Sequence, residues 1–236
     1  MTRRCHFKLH IPHSTLILSE VSNVKNLVII GTGAFARELF WHVQQSIGYD
    51  VDWRIKGFLD GDVKLEPEEY ARLPENIPVL GDVNGYEICA DDVFTCAVGT
   101  PKARRALCEK ISARGGEFVN IVSELAYVMP TVKLGRGVII SPHTDIGDGA
   151  VLGDFVATNA MTIIGHDVTV GDFTCIMPHA NIAGKAQIGS EVFVGSGAII
   201  LPKAKVDDGA SVGAGSVVLK RVKAGTKVFG NPAVEI

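Results

Sequence analysis

Long apolar runs are absent from this chain. No stretch reaches the roughly 20 residues that a membrane helix needs, so the sequence predicts no membrane span. Aromatic residues are scarce, 7% against 47% hydrophobic overall, so any core must be mainly aliphatic. There is no strong charge imbalance either. Lys and Arg number 23 and Asp and Glu 26, and the net charge of −3 gives no reason to expect nucleic acid as a partner. Cysteines are unpaired: Cys5, Cys89, Cys96, Cys108 and Cys175 are scattered, odd in number and lack a CxxC pair. That usage fits a reducing, cytoplasmic setting better than a disulfide scaffold or zinc ribbon.

Residues 1–24 read as an N-terminal extension. Arg3 and Arg4 precede a short apolar stretch, but Pro12, His13 and Glu20 interrupt or flank it, which does not match a signal peptide.

Residues 25–122 alternate strand and helix patterns. "NLVIIGTGAFARELFWHVQQ" predicts a buried strand, a turn at Gly31-Thr32-Gly33 and a helix from about Ala34. "RIKGFLDGD" predicts a second strand ending in Asp60 and Asp62, and "VFTCAVG" a third. Thr100 and Pro101 then open a helix that stops at Gly115-Gly116, and "EFVNIV" predicts a further strand. The alternation argues for a Rossmann-like parallel sheet covered on both faces. The turn G-T-G-A-F-A has the form of a phosphate-cradling glycine loop, with Ala36 in the third glycine position. Backbone N–H groups at a helix start attract anions, yet the same turn equally fits a structural role without a ligand.

From Val128 the sequence divides into hexads. Of the 18 first positions, 15 are Val, Ile or Leu, the fifth is always Val, Ala, Thr or Ser, and nine second positions are glycine. A period of six, matching neither a helix nor a simple strand, predicts a solenoid of short flat strands and sharp corners. Three hexads close one triangular coil, so residues 128–235 predict six coils, a prism about 29 Å long at about 4.8 Å per coil. A packed interior leaves ligands only the outer faces, or grooves between copies.

One residue breaks the corner pattern. The third position carries Asp148, Asp154, Asp172 or Ser190 in nearby hexads, but His166 in "TIIGHDVTVGDF". Adding 18 places Gly184 directly above it. A lone corner histidine would ordinarily be a solvated surface residue. Beside Asp167 and under Gly184 it has the parts for acyl transfer. An imidazole with its ordinary pKa of about 6.5 can take a proton from an attacking hydroxyl or ammonium. An exposed glycine N–H can hold the developing oxyanion. His143 and His179 stand in the fourth position two coils apart, with Met161 between them, and their spacing from His166 does not suit a metal site.

The run "GSGAIILPKAKVDDGASVGAGSVVLKRVKAGTKVFGNPA", joined to the earlier G-T-G-A-F-A and "KGFLDGD", resembles the hexapeptide-repeat acyltransferases of the left-handed β-helix family. The combination is similar to the sialic acid O-acetyltransferases and bacterial nucleotide-sugar N-acetyltransferases. The resemblance implies an all-β left-handed parallel β-helix over 123–236, following a Rossmann-like acceptor domain over 25–122. It implies acetyl-CoA as donor, no metal, and a sugar or nucleotide-sugar acceptor used in bacterial surface glycan synthesis. It also implies a homotrimer with sites between subunits. Carried over by position, His166 is the general base and Asp167 its partner, backbone groups at Gly184, Ser196 and Ala214 grip coenzyme A, and Gly31, Gly33 and Asp60 face the acceptor. Lys203, Lys205, Lys220, Arg221, Lys223 and Lys227 form a basic zone that suits coenzyme A phosphates or a solvated edge.

Two positions depart from the family, Phe35 and Cys175 standing where relatives have histidines. The acceptor's identity, and hydroxyl against amine, stay open in the sequence. So do two other readings, a non-sugar acceptor such as an amino acid or amine, and a non-catalytic trimeric sugar-nucleotide-binding protein.

Overall fold

A computed structural model of the chain describes residues 24–61 and 66–236. The predicted extension, apart from its last residue, and Asp62 lie outside the described residues.

The first body is a five-stranded parallel sheet. Its strands are β1 (Lys25–Ile30), β2 (Trp53–Asp60), β3 (Val79–Asp82), β4 (Asp92–Cys96) and β5 (Glu117–Phe118), in spatial order β3-β2-β1-β4-β5. Helix α1 (Ala34–Val43) follows the glycine turn, α2 (Pro67–Tyr70) is a single short turn, and α3 (Pro101–Ser112) starts at Thr100 and Pro101 as the sequence indicates. Strand β3 carries little apolar patterning, and the sequence alone does not reveal it. The predicted strand "EFVNIV" divides in two: β5 joins this sheet, while Ile121–Val122 pairs with Ile139–Ile140 and already belongs to the solenoid.

The second body is a three-faced parallel β-helix. Its first face runs from Ile121–Val122 to Lys227–Phe229, and an antiparallel strand Val234–Glu235 ends it. The second face runs from Tyr127–Val128 to Val217–Val218, and the third from Lys133–Leu134 to Arg221–Val222. First- and fifth-position residues such as Ile146, Ala150, Ile164, Val168, Ile182 and Ala186 fill the interior and are buried.

The corners explain the period. At nine non-glycine fourth-position residues φ lies between 55° and 64°, a left-handed turn that folds the chain from one face to the next. Each such conformation costs on the order of 1 kcal/mol, and inter-coil hydrogen bonds offset it. Asp167 N–H donates to the Asp148 carbonyl at 2.8 Å, and Lys185 N–H to the His166 carbonyl at 2.9 Å.

The last coil corrects the hexad frame. Lys205 pairs with Arg221 and Ser211 with Lys227, a step of 16 residues instead of 18. Two residues are missing from the corner after Val218. Val222 and Val228 therefore take the inward first position, and Ala224, which the unbroken frame places inside, is exposed.

The two bodies share a core along the first face. There the outward sixth-position residues Ile139, Ala157 and Cys175 are buried against Leu27, Leu39 and Phe58, whereas Ile163, Asn181 and Ile199 in the same position on the second face are exposed. Arg104 of α3 pins the junction. Fully buried, it donates to the Phe155 carbonyl at 2.7 Å and to the Cys96 carbonyl, so the charge is held by oxygens of both bodies. Nearby, Phe155 stacks on Phe173 and meets Phe118 edge-on, each at 4.9 Å, and Arg105 pairs with Glu191.

Candidate active site

At the corner between the third and first faces, third-position aspartates have a structural task. Asp172 Oδ1 accepts the Asp154 N–H at 2.8 Å, and Asp208 Oδ1 accepts the Ser190 N–H at 2.8 Å. Each carboxylate caps an N–H one coil below that the strand ladder leaves open. The corner between the second and third faces is built differently. Going up, its third positions are Asp148, His166, Gly184 and Pro202. Neither glycine nor proline supplies an acceptor, and among the described residues nothing accepts the Gly184 N–H.

His166 fills the space beside that glycine. Its Nδ1 lies 2.9 Å from Asp167 Oδ2, and both side chains are more than half exposed. With the Asp167 carboxylate as acceptor, Nδ1 carries the proton and Nε2 is left as the basic nitrogen. Nε2 faces Gly184: a methyl group built there would stand 2.5 Å from it. The hydrogen bond from His166 holds the Asp167 carboxyl below its ordinary value, and the charges of His166 and Lys185 act in the same direction. An imidazole, a carboxylate and an open N–H thus meet at one corner of the helix.

Ser196 and Ala214 lie on the next corner round, between the first and second faces, one coil apart and exposed. Their N–H groups also lack acceptors among the described residues. Within one chain they do not join His166. His143 and His179 are exposed on that same corner, two coils apart, and neither approaches His166's corner.

Cys175, nine residues after His166, is buried between the two bodies. Burial pushes its thiol up to about 11, despite the nearby positive charge of Arg104. Buried, and with no base beside it among the described residues, it does not suit the covalent acyl-enzyme that its position invites one to consider.

In the first body, a cavity of about 370 Å³ opens at the carboxyl ends of β1 and β4, lined by Gly31, Gly33, Phe35, Gly99, Thr100 and other residues. This is the point where strand order reverses, the usual ligand crevice of such sheets. Gly31 must be glycine, with φ at 109° and a built Cβ only 3.0 Å from the Ala97 carbonyl oxygen. At Gly33 a Cβ would meet nothing, so protein packing does not require glycine there. Asp60 is buried and committed. Thr32 Oγ1 donates to one of its oxygens at 2.8 Å and the Tyr70 hydroxyl to the other at 2.6 Å. It braces the glycine turn from beneath, a use that the sequence does not reveal. Pairings over 28 and 10 residues carry no local signal.

Known proteins match this chain in sequence segments and in fold. Residues 26–111 match the family model of the PglD N-terminal domain, and residues 185–220 that of the bacterial transferase hexapeptide repeat. The acetyltransferase domain of PglB from Neisseria gonorrhoeae, solved with acetyl coenzyme A, is 25% identical with a TM-score of 0.77. The alignment covers 91% of this chain and all of that one (100%). PerB from Caulobacter crescentus, solved with CoA and GDP-perosamine, shares the fold at 24% identity and a TM-score of 0.76, covering 94% of this chain and 100% of PerB. An uncharacterized protein of Acanthamoeba polyphaga mimivirus is 33% identical over 118 residues, 48% of this chain, and the match spans only 22% of that protein's length.

Fold and repeat define the class, a hexapeptide-repeat protein whose β-helix is left-handed like those of its structural relatives. Within that class the chain resembles acetyltransferases such as the PglB domain in order and architecture, a PglD-type N-terminal domain followed by the helix.

Proposed function

We propose that the protein transfers an acetyl group from acetyl-CoA to an amino or hydroxyl group of a sugar or nucleotide-sugar, serving bacterial surface glycan synthesis in the cytoplasm. One observation carries this reading: His166 Nε2 faces Gly184 while Nδ1 is held by Asp167. The acceptor's nitrogen or oxygen attacks the thioester carbonyl as Nε2 removes its proton. The carbonyl electrons move to oxygen, where the Gly184 N–H donates to the oxyanion. Collapse expels the coenzyme A thiolate, which takes the proton back from the imidazolium. Asp167 fixes the tautomer and stabilises the charge that forms on the ring.

Coenzyme A lies along the corners, its amide groups bound by backbone at Gly184 and, from a neighbouring copy in a homotrimer, at Ser196 and Ala214. Their unpaired N–H groups and the separation of the two corners within one chain support a shared site. The acceptor occupies the cavity beside Gly31 and Gly33, whose backbone meets its phosphates if it is nucleotide-linked. Asp60 acts there through Thr32.

The test is thiol release from acetyl-CoA in the presence of amino- and hydroxy-sugars, free and nucleotide-linked. Release with one acceptor class supports the reading and names the atom acylated. Silence across the panel, together with no binding of coenzyme A, overturns it.

A further inference from the structure

Lys185 stands one coil above Asp167, and neither composition nor period singles it out. The register is fixed by the pairing of Ile164 with Ile182, three residues before each. Both residues take the left-handed corner conformation, φ 57° and 64°, so their side chains leave successive coils in the same direction. Lys185 N–H donates to the His166 carbonyl at 2.9 Å, which ties its backbone to the base. Its side chain is exposed and makes no ion pair among the described residues.

The charges around Asp167 are few. His166 lies beside it, Asp148 one coil below, Lys185 one coil above and Lys203 a coil beyond that. The flanking strands Ile163–Ile164 and Thr169–Val170 carry none. Arg221, further up the same corner, is committed to Asp207 at 2.7 Å.

We propose that Lys185 is a positioning residue of the reaction centre, whose ammonium, one coil above, acts on the Asp167 carboxylate that orients the His166 imidazole. Asp167 alone would serve the base in two opposed ways. It fixes Nδ1–H, but it also favours the imidazolium, which cannot accept a proton. A second cation near the same carboxylate keeps the first effect and weakens the second. This rests on the reading of His166 as the base.

Two charges on the order of 6 Å apart in water interact by the equivalent of about half a pH unit. Removing the ammonium lets the pair hold its proton to higher pH, so the sign of the shift is upward. The test uses Lys185→Met and Lys185→Arg in the full chain. In Lys185→Met, the acid limb of the rate profile is expected to move up by about half a unit, with roughly threefold loss on that limb and none on the alkaline plateau. Lys185→Arg restores the wild-type limb.

Carbon NMR of the labelled Asp167 carboxyl, without any substrate, is expected to show its titration moving up in Lys185→Met and not in Lys185→Arg. A carboxyl titration unchanged by Lys185→Met overturns the proposal. So does an equal loss of rate at every pH, which would put Lys185 on the substrate. If the wild type transfers no acetyl group, the enzyme reading fails, and the carboxyl titration still decides the role of Lys185.

Discussion

Replacing Gly184 by alanine adds one methyl group at the point where the imidazole and the next coil meet. The backbone tolerates it, because φ there is not in the left-handed region. The new carbon would stand 2.5 Å from His166 Nε2, 2.8 Å from Cδ2 and 2.9 Å from Cε1. Contact between such atoms settles near about 3.5 Å, so the ring must retreat by about 1 Å. It is exposed and free to do so, which makes the cost to stability small, less than about 1 kcal/mol. The cost to geometry is not small. A displacement of about 1 Å in a reacting group is worth on the order of 100-fold in rate. Gly184→Ala is therefore expected to melt at the wild-type temperature and to release thiol from acetyl-CoA about 100-fold more slowly. Combined with His166→Ala it should lose nothing further, because both changes remove the same function. Wild-type turnover in Gly184→Ala would refute the placement of the reacting acyl group over this glycine.

Two more predictions concern residues away from that corner. Cys175→Ala should keep full transfer activity, and a thiol reagent should modify exposed Cys89 of the folded protein while sparing buried Cys96, Cys108 and Cys175; loss of turnover in Cys175→Ala at unchanged stability would contradict the burial argument. Asp92 is buried, with Lys56 at 2.8 Å. Burial pushes its carboxyl up, but hydrogen bonds from Lys56, Tyr86 and the Cys89 N–H more than offset this and leave it below the ordinary value. Its contribution to stability is thus complete above the ordinary carboxylate range and is lost as pH falls through the lowered value. Denaturant unfolding should show Asp92→Asn destabilised by about 1–3 kcal/mol at neutral pH, with the gap to wild type closing in acid; a gap independent of pH would contradict it.

The β-helix was legible because every coil restates the same instruction. First- and fifth-position residues repeat the core choice, and a single deviation such as Thr158 does not erase the period. The shortened coil after Val218 escaped because Val222 and Val228 keep the texture while shifting the frame by two. In the sheet domain, Gly31 and the Thr100-Pro101 helix start carried local signals, whereas β3 had no alternation to show. His166 was visible as an exception to an aspartate pattern, and Gly184 followed from arithmetic on the coil. The fixed period could not reveal what the other side chains do across the fold. Asp60 reads as a free carboxylate until Thr32 and Tyr70 are seen on its two oxygens, and Arg104 reads as an ordinary helix arginine until the Phe155 carbonyl is found beside it. Such pairings depend on tertiary approach, which no window of sequence contains.

The measurement that bears most directly on the account is thiol release from acetyl-CoA by the wild type and His166→Ala, with the acceptor that supports turnover, at matched folded concentration. The account predicts turnover in the wild type and a loss of at least about 100-fold in the variant, on the order of what a general base contributes, while coenzyme A still binds. Turnover undiminished in His166→Ala would contradict it and would move the chemistry away from this corner.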